Sequence, residues 1–321
     1  MEPAGEVLPV NKVVVAVVQA GSCLFDTKRT LDKAVTYGQQ AAEAGAKLAV
    51  FPEAFLGGYP KGTDFGVRVG SRSAAGRDDF RRYWEAAIDI PGAETTILGK
   101  MAVAHRLNVV MGVIERESGT LYCTALFFGT DGELKGKHRK LMPTAMERLI
   151  WGFGDGSTMP VINTGFGTLG AAICWENYMP LFRTAMYAKG VTLWCAPTVD
   201  DRESWQATMR HIAFEGRCFV LGACQYLLVS DCPDTCHPMQ GEAPDNVLIK
   251  GGSVIVSPLG QVLAGPLRDR EGVLTAELDL ADIARGKFDL DVVGHYARPD
   301  VFSLLVDERP KKAVSLKPAD V

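Results

Sequence analysis

The sequence predicts one α/β domain built on mixed sheets. Three observations carry that expectation. Apolar, β-branched runs alternate with helix-spaced segments from the start of the chain, neighbouring runs are also joined by hairpin signals, and no proline- or serine-rich linker divides the 321 residues. Alternation implies parallel strands joined through helices, whereas hairpins imply antiparallel pairs, so a sheet assembled from both is mixed. A length prior of about 150 residues per domain would allow two domains, but without a linker one is expected. Hydrophobic residues make up 47% of the chain and charged residues 22%, the mix of a packed globular protein, which excludes disordered and disulfide-stapled scaffolds.

The elements follow in order. Val13–Val18 is a buried strand, and Arg29–Ala44 a helix with Leu31, Ala34, Val35, Gly38 and Ala42 on one face, stopped before Gly45. Lys47–Phe51 reads as a second buried strand, Glu94–Arg106 as a helix and Val109–Ile114 as a strand. Ser118-Gly119 and Thr130-Asp131-Gly132 each separate β-like runs and predict hairpins, as does Pro258-Leu259-Gly260 between Gly252–Val256 and Gln261–Ala264. Thr168–Ile173 is a strand, followed after a short turn by a helix over Leu181–Lys189 with Pro180 at its first position. Leu228–Lys250, irregular and rich in Pro, Asp and Cys, is expected to be a long loop. Beyond Phe288 the pattern becomes a tail containing Pro299 and Pro310.

Composition narrows the function classes. Thirty-four Lys and Arg stand against 38 Asp and Glu, a net charge of −4, where a nucleic-acid binder shows a basic surplus. No apolar stretch approaches the ~20 residues of a membrane span, and the acidic start, Met-Glu-Pro-Ala-Gly-Glu, lacks the positive charge of a secretory signal. Most of the eight cysteines, among them Cys123, Cys195, Cys218 and Cys224, sit inside apolar runs. They read as small buried hydrophobes in a reducing, cytoplasmic compartment.

Cys174 ends the strand Thr168–Ile173 where the chain turns toward a helix. A thiol at such a turn faces a positive helix end, which is expected to lower its pKa from ~8.5, although a lone cysteine is more often core. Glu53 stands at the corresponding place after Leu-Ala-Val-Phe-Pro and could equally be a cap. Lys140 closes Gly-Lys-His-Arg-Lys, a run that alone reads as a solvated face. Glu147 follows it within Ala-Met-Glu-Arg-Leu-Ile-Trp, a separation of about two helical turns that would set both on one helix face; alone, it reads as a surface acid. Gly165-Phe-Gly167-Thr-Leu-Gly170 matches the dinucleotide fingerprint, but a strand follows where that fingerprint needs a helix. Cys232, Cys236 and His237 hint at zinc without a fourth ligand.

Together, V-F-P-E-A-F around Glu53, K-H-R-K-L-M-P-T around Lys140 and G-A-A-I-C-W-E-N around Cys174 resemble the nitrilase superfamily. R-L-I-W-G-F-G-D-G-S and D-V-V-G-H-Y-A-R-P-D resemble its nitrilase branch in bacteria and plants, and the likeness runs from about Val13 to about Val306. The resemblance implies a four-layer α-β-β-α sandwich over residues 1–287, with 288–321 a C-terminal extension used in homo-oligomer contacts. It implies a Glu53–Lys140–Cys174 triad with Glu147 as a second, water-positioning glutamate, and hydrolysis of an organic nitrile with water as sole co-substrate and no cofactor or metal. With two glutamates beside one lysine, neither acid is expected to be forced neutral. Tyr59 and Trp175 are expected pocket walls. An amidase or carbamoylase with the same triad and a catalytically dead, filament-forming relative remain as alternatives; pocket shape would decide among arylaceto-, aromatic, aliphatic and cyano-amino-acid nitriles.

Overall fold

The computed structural model describes residues 11–233, 238, 241–311 and 314. The first half of the chain contains β1 (Lys12–Gln19), α1 (Thr27–Glu43), β2 (Leu48–Val50), a small hairpin of β3 (Val67–Arg68) and β4 (Ser71–Arg72), α2 (Ala74–Ala86), α3 (Ala93–His105), β5 (Asn108–Glu117), β6 (Thr120–Phe128) and β7 (Leu134–Arg139). The second half contains β8 (Ile162–Asn163), β9 (Thr168–Ala171), α4 (Pro180–Ala188), β10 (Leu193–Thr198), α5 (Glu203–Gly216), β11 (Phe219–Cys224), β12 (Tyr226–Leu228), β13 (Val247–Val256), β14 (Val262–Arg268), β15 (Gly272–Asp279) and α6 (Ala281–Lys287).

Two large sheets result, one in the order β15-β1-β2-β5-β6-β7, the other β12-β13-β11-β10-β9-β8 with β14 against β13. Both are mixed. Residue alternation along the strands shows how they stack. Val15 and Val17 of β1 join Leu169, Leu193, Cys195 and Leu221 in a core between the sheets, while Ala16 and Val18 pack with Leu31, Ala34, Leu98 and Met101 of α1 and α3. On the second sheet Trp194 and Ala196 turn the other way, onto Phe182, Met186, Trp205 and Met209 of α4 and α5. Each sheet is covered on both faces, so its central strands read as unbroken apolar runs. The layers are α-β-β-α, as the resemblance implied.

Most predicted elements recur with ends shifted by a residue or two, whereas β5, β13 and β14 each run three to five residues further at one end; Asp26 caps α1 by accepting from the Arg29 N–H. Ser118 (φ +53°) and Gly119 close the β5–β6 hairpin, with Glu117 opposite Thr120. The Gly165 segment is a turn between β8 and β9, and β9 continues as strand.

Two expectations change here. Leu228–Lys250 is not all loop, because Val247–Lys250 already belongs to β13 and pairs with β12; its short apolar run Val247–Ile249 has a strand partner that local composition does not reveal. Glu147 and Lys140 do not share a helix: Lys140 follows β7 directly and Glu147 sits on a short 3-10 turn, Ala145–Leu149. Pro143 between them denies a continuous helix its hydrogen bond. Helices α2 and α5 and strands β10, β11 and β15 were not singled out from the sequence.

The topology brings three chain ends to one rim. β2 runs parallel to β1 and β5; β7, two antiparallel steps from β5, runs parallel to them as well. In the other sheet β9, β10 and β11 are parallel. Residues just past the carboxyl ends of β2, β7 and β9 are Glu53, Lys140 and Cys174, in the crevice where open α/β sheets bind ligands.

Candidate active site

Glu53 lies in a loop held tightly against β5. A side chain at Gly112 would place its Cβ 1.9 Å from the Pro52 carbonyl oxygen, so glycine there lets strand and loop backbones touch. From the second sheet, Gln225 Nε2 donates to the Glu53 carbonyl oxygen at 2.8 Å. Lys140 is fixed through its N–H, which donates to Cys123 O at 2.8 Å. Cys174 opens a 3-10 turn, Cys174–Tyr178, with φ +50°. A left-handed conformation at a non-glycine residue stores strain and aims the side chain off the strand end. Asn177 stabilises it by donating from Nδ2 to the carbonyl oxygens of Ala172 and Cys174 at 2.9 and 2.8 Å.

The side chains converge. Lys140 Nζ donates to Glu53 Oε1 at 2.6 Å and to Glu147 Oε2 at 2.8 Å. Glu53 and Lys140 are sealed from solvent, at 0% and 1% exposure, and Cys174 is nearly so at 3%. Thr144 N–H and the Tyr59 hydroxyl donate to Glu147 Oε2 and Oε1 at 2.7 and 2.9 Å, which fixes the second glutamate. The Thr198 hydroxyl, at the end of β10, donates to Cys174 Sγ at 3.3 Å, and the Lys140 ammonium stands 5.5 Å from the Trp151 ring centre. Tyr59, Thr144, Glu147, Cys174, Trp175 and Asp200 line a cavity of about 210 Å³. Tyr59 and Glu147 also border a second cavity of about 190 Å³ with Phe65 and Ile150.

The electrostatics correct two expectations. Burial pushes the Glu53 carboxyl up to about 7; Lys140 opposes that and Glu147 adds to it. One acid is therefore held close to neutrality, because a single ammonium is shared between two carboxylates and Glu53 Oε2 has no hydrogen-bond partner. The Cys174 thiol is raised, not lowered, by burial and by the charge of Glu53, against the pull of Lys140 and Thr198. The short turn after the cysteine supplies less stabilisation of a thiolate than desolvation removes. Burial alone would discharge Lys140, but Glu53, Cys174 and Glu147 together raise its pKa well above the ordinary value, so it remains a cation.

The structure places Trp175 on the cavity wall but 42% exposed, its indole N–H donating to Asp200 Oδ2 at 3.0 Å under the Arg202 guanidinium. Thr144, Thr198, Asp200 and Arg202 were not anticipated. Thr198 ends β10 and the others lie in loops after strands, and no spacing in the sequence points to them. Of the zinc hint, Cys236 and His237 lie outside the described residues, among which no group of His, Cys, Asp and Glu is placed to hold a metal ion.

The profile of the carbon-nitrogen hydrolase family matches residues 14–288. The chain is 58% identical over 304 residues to an aliphatic nitrilase of Sinorhizobium fredii, covering 95% of this chain and 98% of that one. It is 56% identical over 308 residues to a bifunctional nitrilase/nitrile hydratase of Lupinus angustifolius, covering 94% and 88%. Its fold is similar to that of an amidase from Nesterenkonia sp., with a TM-score of 0.64 at 22% identity over 88% of this chain and 99% of the other.

Proposed function

The chain belongs to the carbon-nitrogen hydrolase family and is a nitrile-hydrolysing enzyme, and we propose that Cys174 is its nucleophile, Glu53 its proton shuttle, Lys140 its electrostatic catalyst and Glu147 the residue that orients water. The observation that carries these roles is one ammonium gripped between two buried carboxylates beside a buried sulfur.

Because the resting sulfur is a thiol, attack and proton transfer are coupled. Glu53 takes the proton as Sγ bonds to the nitrile carbon. One π bond of the C≡N group becomes the nitrogen's lone pair, whose negative charge Lys140 stabilises, and a proton from the site completes the thioimidate. A water held by Glu147 adds to the carbon, giving a proton to a glutamate. The nitrogen is protonated, the C–N bond breaks, ammonia leaves and a thioester remains. A second water breaks the C–S bond, yielding the carboxylic acid and restoring the thiol. A carboxyl with a pKa of about 7 suits this alternation, since it accepts and returns protons at neutral pH with little cost either way. Tyr59 fixes Glu147 and, with Trp175, forms walls for the substrate.

Residues 1–287 form the catalytic unit in this reading, and 288–321 an extension that contacts further copies of the chain. Supporting this, Val301, Phe302 and Leu305 are exposed at 57%, 76% and 94%; light scattering that finds only monomer contradicts it. A cytoplasmic setting is supported by the free thiols of Cys23, Cys123, Cys174, Cys195, Cys218 and Cys224. Among the described residues no helix is long and apolar enough to cross a membrane.

The deciding assay measures ammonia released from a panel of aliphatic, aromatic and arylaceto-nitriles, with the matching amides as controls. Wild-type release from nitriles, absent in Cys174→Ala, is expected; release by that variant removes the nucleophile assignment.

A further inference from the structure

We infer that His138 and Glu176 form a buried positioning pair that sets Lys140 against Cys174 across the two sheets. The inference rests on the catalytic roles proposed for those two residues.

The two sheets contact each other mainly through apolar side chains, which slide easily by fractions of an ångström. A reaction that needs a lysine from one sheet beside a sulfur from the other requires something directional between them. Glu176 supplies it. Its Oε1 accepts from the Leu141 N–H at 2.6 Å, and its Oε2 accepts from the Ile173 N–H at 2.7 Å and from His138 Nε2 at 2.9 Å. Leu141 follows Lys140 and Ile173 precedes Cys174, so one carboxylate grips the backbone beside both reacting residues. His138 adds a third point, two residues before Lys140 on β7. Its other nitrogen, Nδ1, donates to the Thr158 carbonyl oxygen at 2.6 Å. Both side chains are 1% exposed.

The chemistry of the pair is constrained. Nδ1 faces a carbonyl oxygen and so carries hydrogen, while Nε2 faces the Glu176 carboxyl, whose charge favours the protonated ring. Burial opposes that charge, while Glu176 and the Thr158 carbonyl outweigh it and Lys189 acts the other way. Glu176 accepts from a backbone N–H on each of its two oxygens and faces the His138 ring as well. A glutamine there would turn an NH₂ group toward an N–H donor, leaving two buried donors facing each other. Neither residue reaches the cavity, so both act through the backbone of the residues they hold.

The experiment compares Glu176→Gln and His138→Gln with wild type in kcat, KM and melting temperature, and in the rate at which iodoacetamide alkylates Cys174, read by mass spectrometry. Both folded variants are expected to lose at least about tenfold in kcat with KM within about threefold, and to alkylate more slowly. A loss of stability with kcat and alkylation unchanged in either variant overturns the inference. If Glu176→Gln does not fold, His138→Gln decides alone, since it leaves both backbone contacts of Glu176 in place and removes only the cation. Activity remaining in Cys174→Ala would instead overturn the catalytic reading beneath it, so the two failures are distinguishable.

Discussion

Two buried carboxylates sit on opposite faces of the same few strands and meet opposite fates. Glu115, on the helix-facing side of β5, is 2% exposed and receives Lys137 Nζ, Arg139 Nε and Nη2 and the Thr124 hydroxyl. Burial works against its charge, but Arg139 and Lys137 outweigh it and hold the carboxyl below its ordinary range. Glu53, on the face between the sheets, has a shared ammonium, the weak Cys123 thiol donor at 3.7 Å and an oxygen with no partner, and burial lifts it to about 7. Both acids are hidden from water and both lie beside lysines. What separates the lowered carboxyl from the raised one, the proposed proton shuttle, is the number of donors each receives, because desolvation acts on both and only Glu115 is fully compensated.

That comparison can be broken in several ways. Cys174→Ala should abolish ammonia release, and Lys140→Ala should cost a hundred- to a thousandfold or more, about the loss seen when a preorganised charge stabiliser is removed; the latter also leaves Glu53 and Glu147 without their shared cation. Substantial turnover by either variant would make the Glu53 cluster as structural as the Glu115 one. Next comes the pH dependence. As the base, Glu53 must be ionised, so kcat/KM should fall as pH drops below about 7. Stability should show the reverse slope. With its folded pKa above the unfolded value, Glu53 binds its proton more tightly when folded, and the stability this lends is lost as pH rises from about 4.3 through 7. Glu115, with a lowered folded pKa, lends stability above the unfolded value that is lost as pH falls through the folded one. Chemical denaturation at pH 5 and pH 8 should therefore show Glu53→Gln gaining on wild type at the higher pH, whereas Glu115→Gln should hold a constant deficit across that range and close on wild type only in acid, below about pH 4; parallel behaviour of the two variants would sink the distinction.

Smaller effects sharpen it further. Tyr59→Phe removes one donor to Glu147 and should lower kcat by roughly tenfold, the scale of a hydrogen bond to a charged group; an unchanged kcat would leave Tyr59 as a wall only. Glu115→Gln should leave turnover at the wild-type level while costing about 1–3 kcal/mol of stability in urea titration, since buried donors lose their acceptor. A collapse of turnover in that folded variant would show that the two faces are not independent.

The run Gly136-Lys-His-Arg-Lys140 illustrates how much of this was legible. As a string it looks like a solvated basic patch. On β7 its side chains alternate, so Lys137 and Arg139 pair with Glu115 on one face while His138 and Lys140 enter the inter-sheet layer. Period-2 geometry was available from the residues, but which face was buried depended on a second sheet supplied by residues far downstream. Cys174 shows a different limit. Its place at a strand end was readable, whereas its protonation was misjudged because sequence reveals the turn and not the depth of burial around it. Glu176, two residues after Cys174, was not singled out from the sequence; its partners Leu141 and His138 are more than 30 residues away.

The order of strands and helices, the breaks between them and the three strand-end residues were determined by the sequence itself, because hydrophobic period, glycine and proline act over a few residues at a time. Which ends share a rim, how deeply each charge is buried and how many donors each carboxylate receives were decided only when two sheets closed on one another. Desolvation and hydrogen-bond count belong to that assembled interior, and they raise the Glu53 carboxyl while leaving that of Glu115 lowered.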